Sequence, residues 1–171
     1  MALREILIWP NPELLKISQK VDVVDDSIRA LVKDMFETMY DADGVGLAAP
    51  QVGVLKRVVV VDIHSDDGER PSGEEPIALI NPVFSDKSGD LEWEEGCLSV
   101  PGEVGKVTRA AKCTVTYMDL DGKQQVIHAE GLKSVALQHE CDHLDGKLFV
   151  DYLSPLKRSF IKKKMLKLMR E

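Results

Sequence analysis

No stretch of this sequence is long and apolar enough for a helical membrane span, which needs about 20 consecutive apolar residues, so a helical membrane protein is excluded. The opening segment, MALREILIWPNPELL, has one early arginine, a short apolar patch and two prolines. It lacks the extended apolar core and small-residue cleavage site of a secretory signal, and a cytoplasmic location is the expectation. Cysteine is scarce and odd in number: Cys97, Cys113 and Cys141 are too few and too far apart for a disulfide framework. In a reducing compartment each is a buried, metal-bound or catalytic residue. Internal repeats and domain linkers are also missing, so residues 1–171 are expected to form a single domain, large enough to bury a real core.

What is present is ordinary in bulk and uneven in distribution. Hydrophobic residues make up 44% and charged residues 30%, as in a soluble globular protein. The net charge is −7, yet residues 154–171 hold seven of the 22 basic residues and one of the 29 acidic ones. That leaves an acidic body of −13 carrying a tail of +6.

Residues 25–41 place Ile28, Val32, Met35 and Met39 on one stripe behind an acidic start, which predicts an amphipathic helix. The segment DADGVGLAAPQVG breaks it. KRVVVVDI and PIALINPVF are β-branched and apolar and predict strands. The polar, Gly/Pro-rich residues 64–75 between them predict a surface loop. KCTVTYMDLDGKQQVIHAEG predicts a hairpin turning at Asp121-Gly122. GLKSVALQHECDHL predicts a buried helix ending near Gly146. Residues 154–171 predict a basic C-terminal helix, with Ser154 as N-cap and Pro155 in its first turn. The fold class is therefore α+β: short antiparallel β-strands packed around a central helix, with an N-terminal helix and a C-terminal helix.

The chemistry is concentrated in the central helix, where His139, Glu140 and His143 form H-E-x-x-H. Residues four apart on a helix project from neighbouring points of one face, so two imidazoles can share an ion, with Glu140 in reach of a water on it. That is the arrangement of metal-assisted hydrolysis, although the same pattern also occurs as a plain polar helix face. Such a site needs a third protein ligand and an open position. The extended form of the motif would place histidine at 149, which is Phe149, and residues 146–170 contain no glutamate. The third ligand should therefore lie upstream, and Cys97 in EEGCLSVPG is the candidate. Cys113, within a strand pattern, and Cys141, off the ligand face, are read as buried small hydrophobes.

Three segments together resemble one family, the peptide deformylases: GVGLAAPQ (44–51), EGCLSVPG (95–102) and QHECDH (138–143), in order and suitably spaced. The resemblance implies metal-dependent hydrolysis of the N-formyl group from the initiator N-formylmethionine of nascent polypeptides, releasing formate. It implies Cys97, His139 and His143 as metal ligands and Glu140 as the group that moves the proton. Gln51 and the backbone N–H of Leu98 would face the developing oxyanion, and Gly46 would pair with substrate backbone. Val45, Trp93 and Val135 would wall the methionine pocket, and Glu95 would brace the site. At Val104 some relatives carry an arginine that contacts peptide backbone, and this chain lacks it.

The cofactor implied is one divalent ion, natively Fe²⁺, with Zn²⁺, Ni²⁺ or Co²⁺ able to occupy the same ligands. The partners implied are N-formylmethionyl nascent peptides and the ribosome near its exit tunnel, reached through the basic C-terminal helix. No DNA or membrane partner is expected, and the chain is expected to be monomeric. Two other readings remain at this stage: a metalloendopeptidase, and a non-catalytic metal-binding module in which Glu140 is only a structural acid.

Overall fold

The computed structural model describes residues 2–63 and 75–170, so the loop expected at 64–75 lies outside the described residues except for Glu75. The first long helix, α1 (Asp26–Asp41), starts where the Asp25 carboxylate accepts a hydrogen bond from the Ile28 N–H at 3.2 Å. Its expected stripe of Ile28, Val32, Met35 and Met39 is buried.

Five strands follow the pattern β1 (Gly46–Ala48), β2 (Val58–Val61), β3 (Ile77–Ser88), then β6 (Lys112–Met118) and β7 (Gln124–Glu130), joined in that order into one antiparallel sheet. Between β3 and β6 the chain makes a separate hairpin, β4 (Leu91–Cys97) with β5 (Val100–Arg109). The central helix α2 (Leu132–Leu144) and the C-terminal helix α3 (Pro155–Leu168) complete the fold. The α+β class and both terminal helices are as the sequence implies.

The run of four valines in β2 is apolar throughout because both faces of the sheet are covered. Val58 and Val60 point into a cluster with Ile28, Met35 and Met39 of α1. Val59 and Val61 point the other way, into a cluster with Leu137, Cys141 and Leu144 of α2. The helix α2 is thus enclosed, and ten of its thirteen residues are buried. Burial on nearly every side goes with the absence of a clear amphipathic stripe, and the polar side chains enclosed with it include Ser134, Gln138, His139, Glu140 and His143. At its end Gly146 takes a left-handed backbone (φ 75°), and Arg57 Nη1 donates to the Leu144 carbonyl at 3.1 Å.

A third cluster sits under the β4–β5 hairpin and joins Trp9, Val100, Val107 and Phe149 to Ile161 and Met165 of α3. Along α3 only Ile161 and Met165 are docked, while Leu156, Phe160, Leu168 and Met169 are exposed. The helix lies along one edge of the body, so only a narrow strip, one turn of side chains, finds a surface to cover. The strands β1, β4 and β5 were not foreseen. β1 spans three residues, and β4 (LEWEEGC) carries three glutamates among its seven residues and buries only Glu95 fully.

Candidate active site

The segment EGCLSVPG is the tip of the β4–β5 hairpin. Cys97 pairs with Val100 while Gly96 pairs with Val104, so residues 101–103 bulge out of the ladder. That bulge turns Cys97 towards α2. Its Sγ lies 3.5 Å from His143 Nε2, and the donor atoms of Cys97, His139 and His143 all fall within 4.8 Å of one another. A tetrahedral ion with one sulfur and two nitrogen ligands at ordinary bond lengths requires sulfur and nitrogen about 3.6 Å apart. The donor set and its spacing fit such an ion.

The His139 imidazole is held from behind. His139 Nδ1 lies 2.7 Å from Glu95 Oε1, which leaves Nε2 for the cleft. Phe149, the residue at the position where a third histidine was sought, stacks on the His139 ring with centroids 6.3 Å apart. Burial drives His143 well below the usual histidine pKa, and the His139 and Arg109 charges act in the same direction, so its ring is neutral and able to ligate. For His139, burial opposes the charged form, but Glu140, Cys97 and Glu95 around it outweigh that and raise its pKa. Taking up a metal at His139 therefore displaces a proton.

Glu95 is itself buried, which pushes its carboxyl up, yet hydrogen bonds from His139 and Arg109 hold it below the usual range. Arg109 Nε and Nη2 donate to the two Glu95 oxygens at 2.6 and 2.9 Å. Burial pushes the Glu140 carboxyl up to about 7, and the Glu95 charge adds to this. The Glu140 Oε1 atom is buried with no hydrogen-bond partner among the described residues, 3.9 Å from His143 Nε2. A carboxyl of this kind is poised to exchange a proton near neutral pH.

A cleft of about 700 Å³ opens onto these groups, lined by Val45, Gly46, Gln51, Cys97, Leu98, His139 and Glu140 among others. Gln51 sits in a 3₁₀ turn, Ala49–Val52, directly after β1. Its Oε1 accepts from the Ala48 N–H at 2.9 Å, which turns Nε2 towards Ser99 Oγ at 3.0 Å and Cys97 Sγ at 3.5 Å. Gly46 has a steric reason to be glycine: a Cβ there would stand 2.7 Å from both Cγ and Cδ of Glu140.

Two of the expected pocket walls do not line this cleft. Trp93 is four residues before Cys97 on an extended strand, about 13 Å away at ordinary strand rise, and is exposed at 40%. Val135 is buried on α2 one turn before His139, about 6 Å lower along the same face of the helix, and is not among the residues that line the cleft. Arg109 and Ser99 were missed by sequence reading. The only trace of Arg109 is a lone cation at an inward position of a strand that alternates buried and exposed residues.

The polypeptide deformylase family model matches residues 3–159. The chain belongs to this family of enzymes. It is 54% identical to a peptide deformylase of Stutzerimonas stutzeri, covering 100% of this chain and 99% of that one. A crystal structure of a Legionella pneumophila peptide deformylase is 50% identical, with a TM-score of 0.89 over 99% of this chain and 96% of that chain. A peptide deformylase from Ehrlichia chaffeensis, solved in complex with actinonin, superposes with a TM-score of 0.94 at 41% identity, covering 100% of both chains. The deformylase family name states its reaction class, removal of a formyl group from a polypeptide. Among the described residues no helix is long and apolar enough to cross a membrane.

Proposed function

We propose that this chain hydrolyses the N-formyl group of the initiator N-formylmethionine on nascent polypeptides and releases formate, using one divalent ion held by Cys97, His139 and His143. The observation that carries the reading is the convergence of those three donors beside Glu140 at a cleft. When bound, such an ion supplies Lewis acidity towards a carbonyl oxygen and lowers the pKa of water to near 7. Fe²⁺ is the proposed native ion, with Zn²⁺, Ni²⁺ and Co²⁺ as substitutes on the same ligands.

The remaining steps belong to the protein. Glu140 accepts a proton from the water that attacks the formyl carbon and delivers it to the amine as the C–N bond breaks. The attacking oxygen leaves in formate, and the proton leaves on the new N-terminus. Gln51 Nε2 and the Leu98 backbone N–H face the oxygen that becomes negative, and one such donor is typically worth about 10²–10³ in rate. β1 is the edge strand of its sheet, so an extended peptide can add beside Gly46.

Docking at the ribosomal exit through α3 is part of the same reading. Its exposed surface carries Lys157, Lys162, Lys163, Lys164 and Lys167, next to the exposed Leu156 and Phe160. A cationic surface of this kind holds phosphates through salt-sensitive counterion release. The chain is proposed to act as a cytoplasmic monomer.

Formyl-Met peptides and matched unformylated peptides, offered to metal-loaded protein, test the function. Formate release in step with new amino termini, and no cleavage of the unformylated chain, is the expected result. Internal cleavage of the unformylated peptide would make the protein an endopeptidase instead.

A further inference from the structure

The H-E-x-x-H helix carries a second acid, Asp142, on the side away from the cleft, and its partners lead back to the site. Asp142 Oδ2 accepts from Arg109 Nη1 at 2.8 Å and from the Tyr152 hydroxyl at 2.7 Å. The Arg109 guanidinium also lies over the Tyr152 ring, 4.9 Å from its centroid. Its other face is the two-pronged contact with Glu95, and Glu95 Oε1 meets His139 Nδ1. The Arg109 side chain is 4% exposed, so it has little room to rearrange.

We propose that Asp142, supported by Tyr152, is a positioning residue for His139, acting through Arg109 and Glu95. The inference rests on the reading of His139 as a metal ligand. A carboxylate that accepts the Nδ1–H of a ligating histidine fixes its tautomer and raises its basicity. Arg109 competes with His139 for that same Glu95 charge. Asp142 draws part of the Arg109 field to the opposite side, so more of the Glu95 charge remains for the imidazole. A plain latch between β5 and α2 would use the same contacts, but it would leave the metal indifferent to the charge at position 142.

The test compares wild type with Asp142→Asn and Tyr152→Phe in the full chain, using Co²⁺ as the probe. Three properties are measured: Co²⁺ affinity against a chelator, the visible spectrum of the bound ion, and kcat and KM for a formyl-Met peptide. Partners behind metal-ligating histidines are typically worth about 10–100-fold in affinity. Asp142→Asn should weaken Co²⁺ binding by about tenfold, shift its absorption bands and lower kcat with little change in KM. Tyr152→Phe should act in the same direction and more weakly. It removes one hydroxyl from a half-exposed side chain, so it carries the test should Asp142→Asn fail to fold. If the variants melt at lower temperature but bind Co²⁺ with wild-type affinity and spectrum, the pair is only a latch and the inference is overturned. If wild type itself takes up no Co²⁺, the ligand set is wrong and this inference falls with it.

Discussion

At the scale of single residues, the site depends on a buried carboxyl kept close to a glycine. Glu140 works as a base only when ionised, and burial pushes its carboxyl up to about 7. A bound cation pulls that value down. Activity should therefore be present above, and lost as the pH falls through, an apparent pKa no higher than about 7. A pH profile of kcat/KM checks this, and an acid limb centred well above 7 would assign it to another group. Gly46→Ala places a methyl against Cγ and Cδ of Glu140. The expected outcome is a stable, metal-loaded protein whose kcat falls by at least about 10²-fold, the lower value for loss of a proton-transfer group. Unchanged kcat would show that Glu140 moves freely.

The residues proposed to contact the reacting atoms were the legible part of this chain, because each lies in a short motif whose spacing suggests the chemistry. The residues that hold them were not. Arg109, Asp142 and Tyr152 come from β5, α2 and a 3₁₀ turn, Phe149–Tyr152, and meet only through tertiary packing. Trp93 lies on the extended strand β4 and is exposed, so its distance from Cys97 follows from strand geometry rather than from its nearness in sequence.

At the scale of elements, helices with a clear stripe or a capping residue were legible: α1 by its buried stripe, α3 by Ser154, whose hydroxyl accepts from the Lys157 N–H at 3.2 Å. The hairpin that presents Cys97 was not, since its pairing is defined by a bulge rather than by alternation. The structure also divides α3 into two roles that sequence reading merged. Ile161 and Met165 pack in the cluster that includes Val100 and borders Cys97, so truncation before Met165 would damage the fold as well as the exposed face. Separate substitutions should part the two. Met165→Ala should destabilise by about 2–5 kcal/mol, as buried methionines do, measured by denaturant unfolding. Lys163→Glu with Lys167→Glu, both exposed, should leave stability and peptide turnover near wild type and weaken salt-sensitive ribosome co-sedimentation. Ribosome binding that ignores both charge reversal and salt would leave α3 with its packing role alone.

At the scale of the whole molecule, the candidate metal site ties together parts that are far apart in sequence. Cys97 comes from the hairpin, and His139 and His143 from the helix enclosed by the main sheet. An ion bound there stabilises the folded chain by mass action, about 4 kcal/mol at a thousandfold excess over its dissociation constant. For a domain of this size that corresponds to about 8–16 °C in Tm. Chelation should lower Tm by that order, and re-addition of Ni²⁺ or Zn²⁺ should restore it. A Tm unaffected by a chelator that removes the ion would place the metal outside the cooperative fold.

The central claim is that Cys97, His139 and His143 hold the ion while Glu140 moves the proton. Its most direct test is metal content and formate release measured on one preparation of Glu140→Ala, purified anaerobically beside wild type. The predicted result is one divalent ion per chain in both proteins, with turnover of formyl-Met peptide reduced by about 10²–10⁴-fold or more in the variant. Turnover near wild type in metal-loaded Glu140→Ala would contradict it.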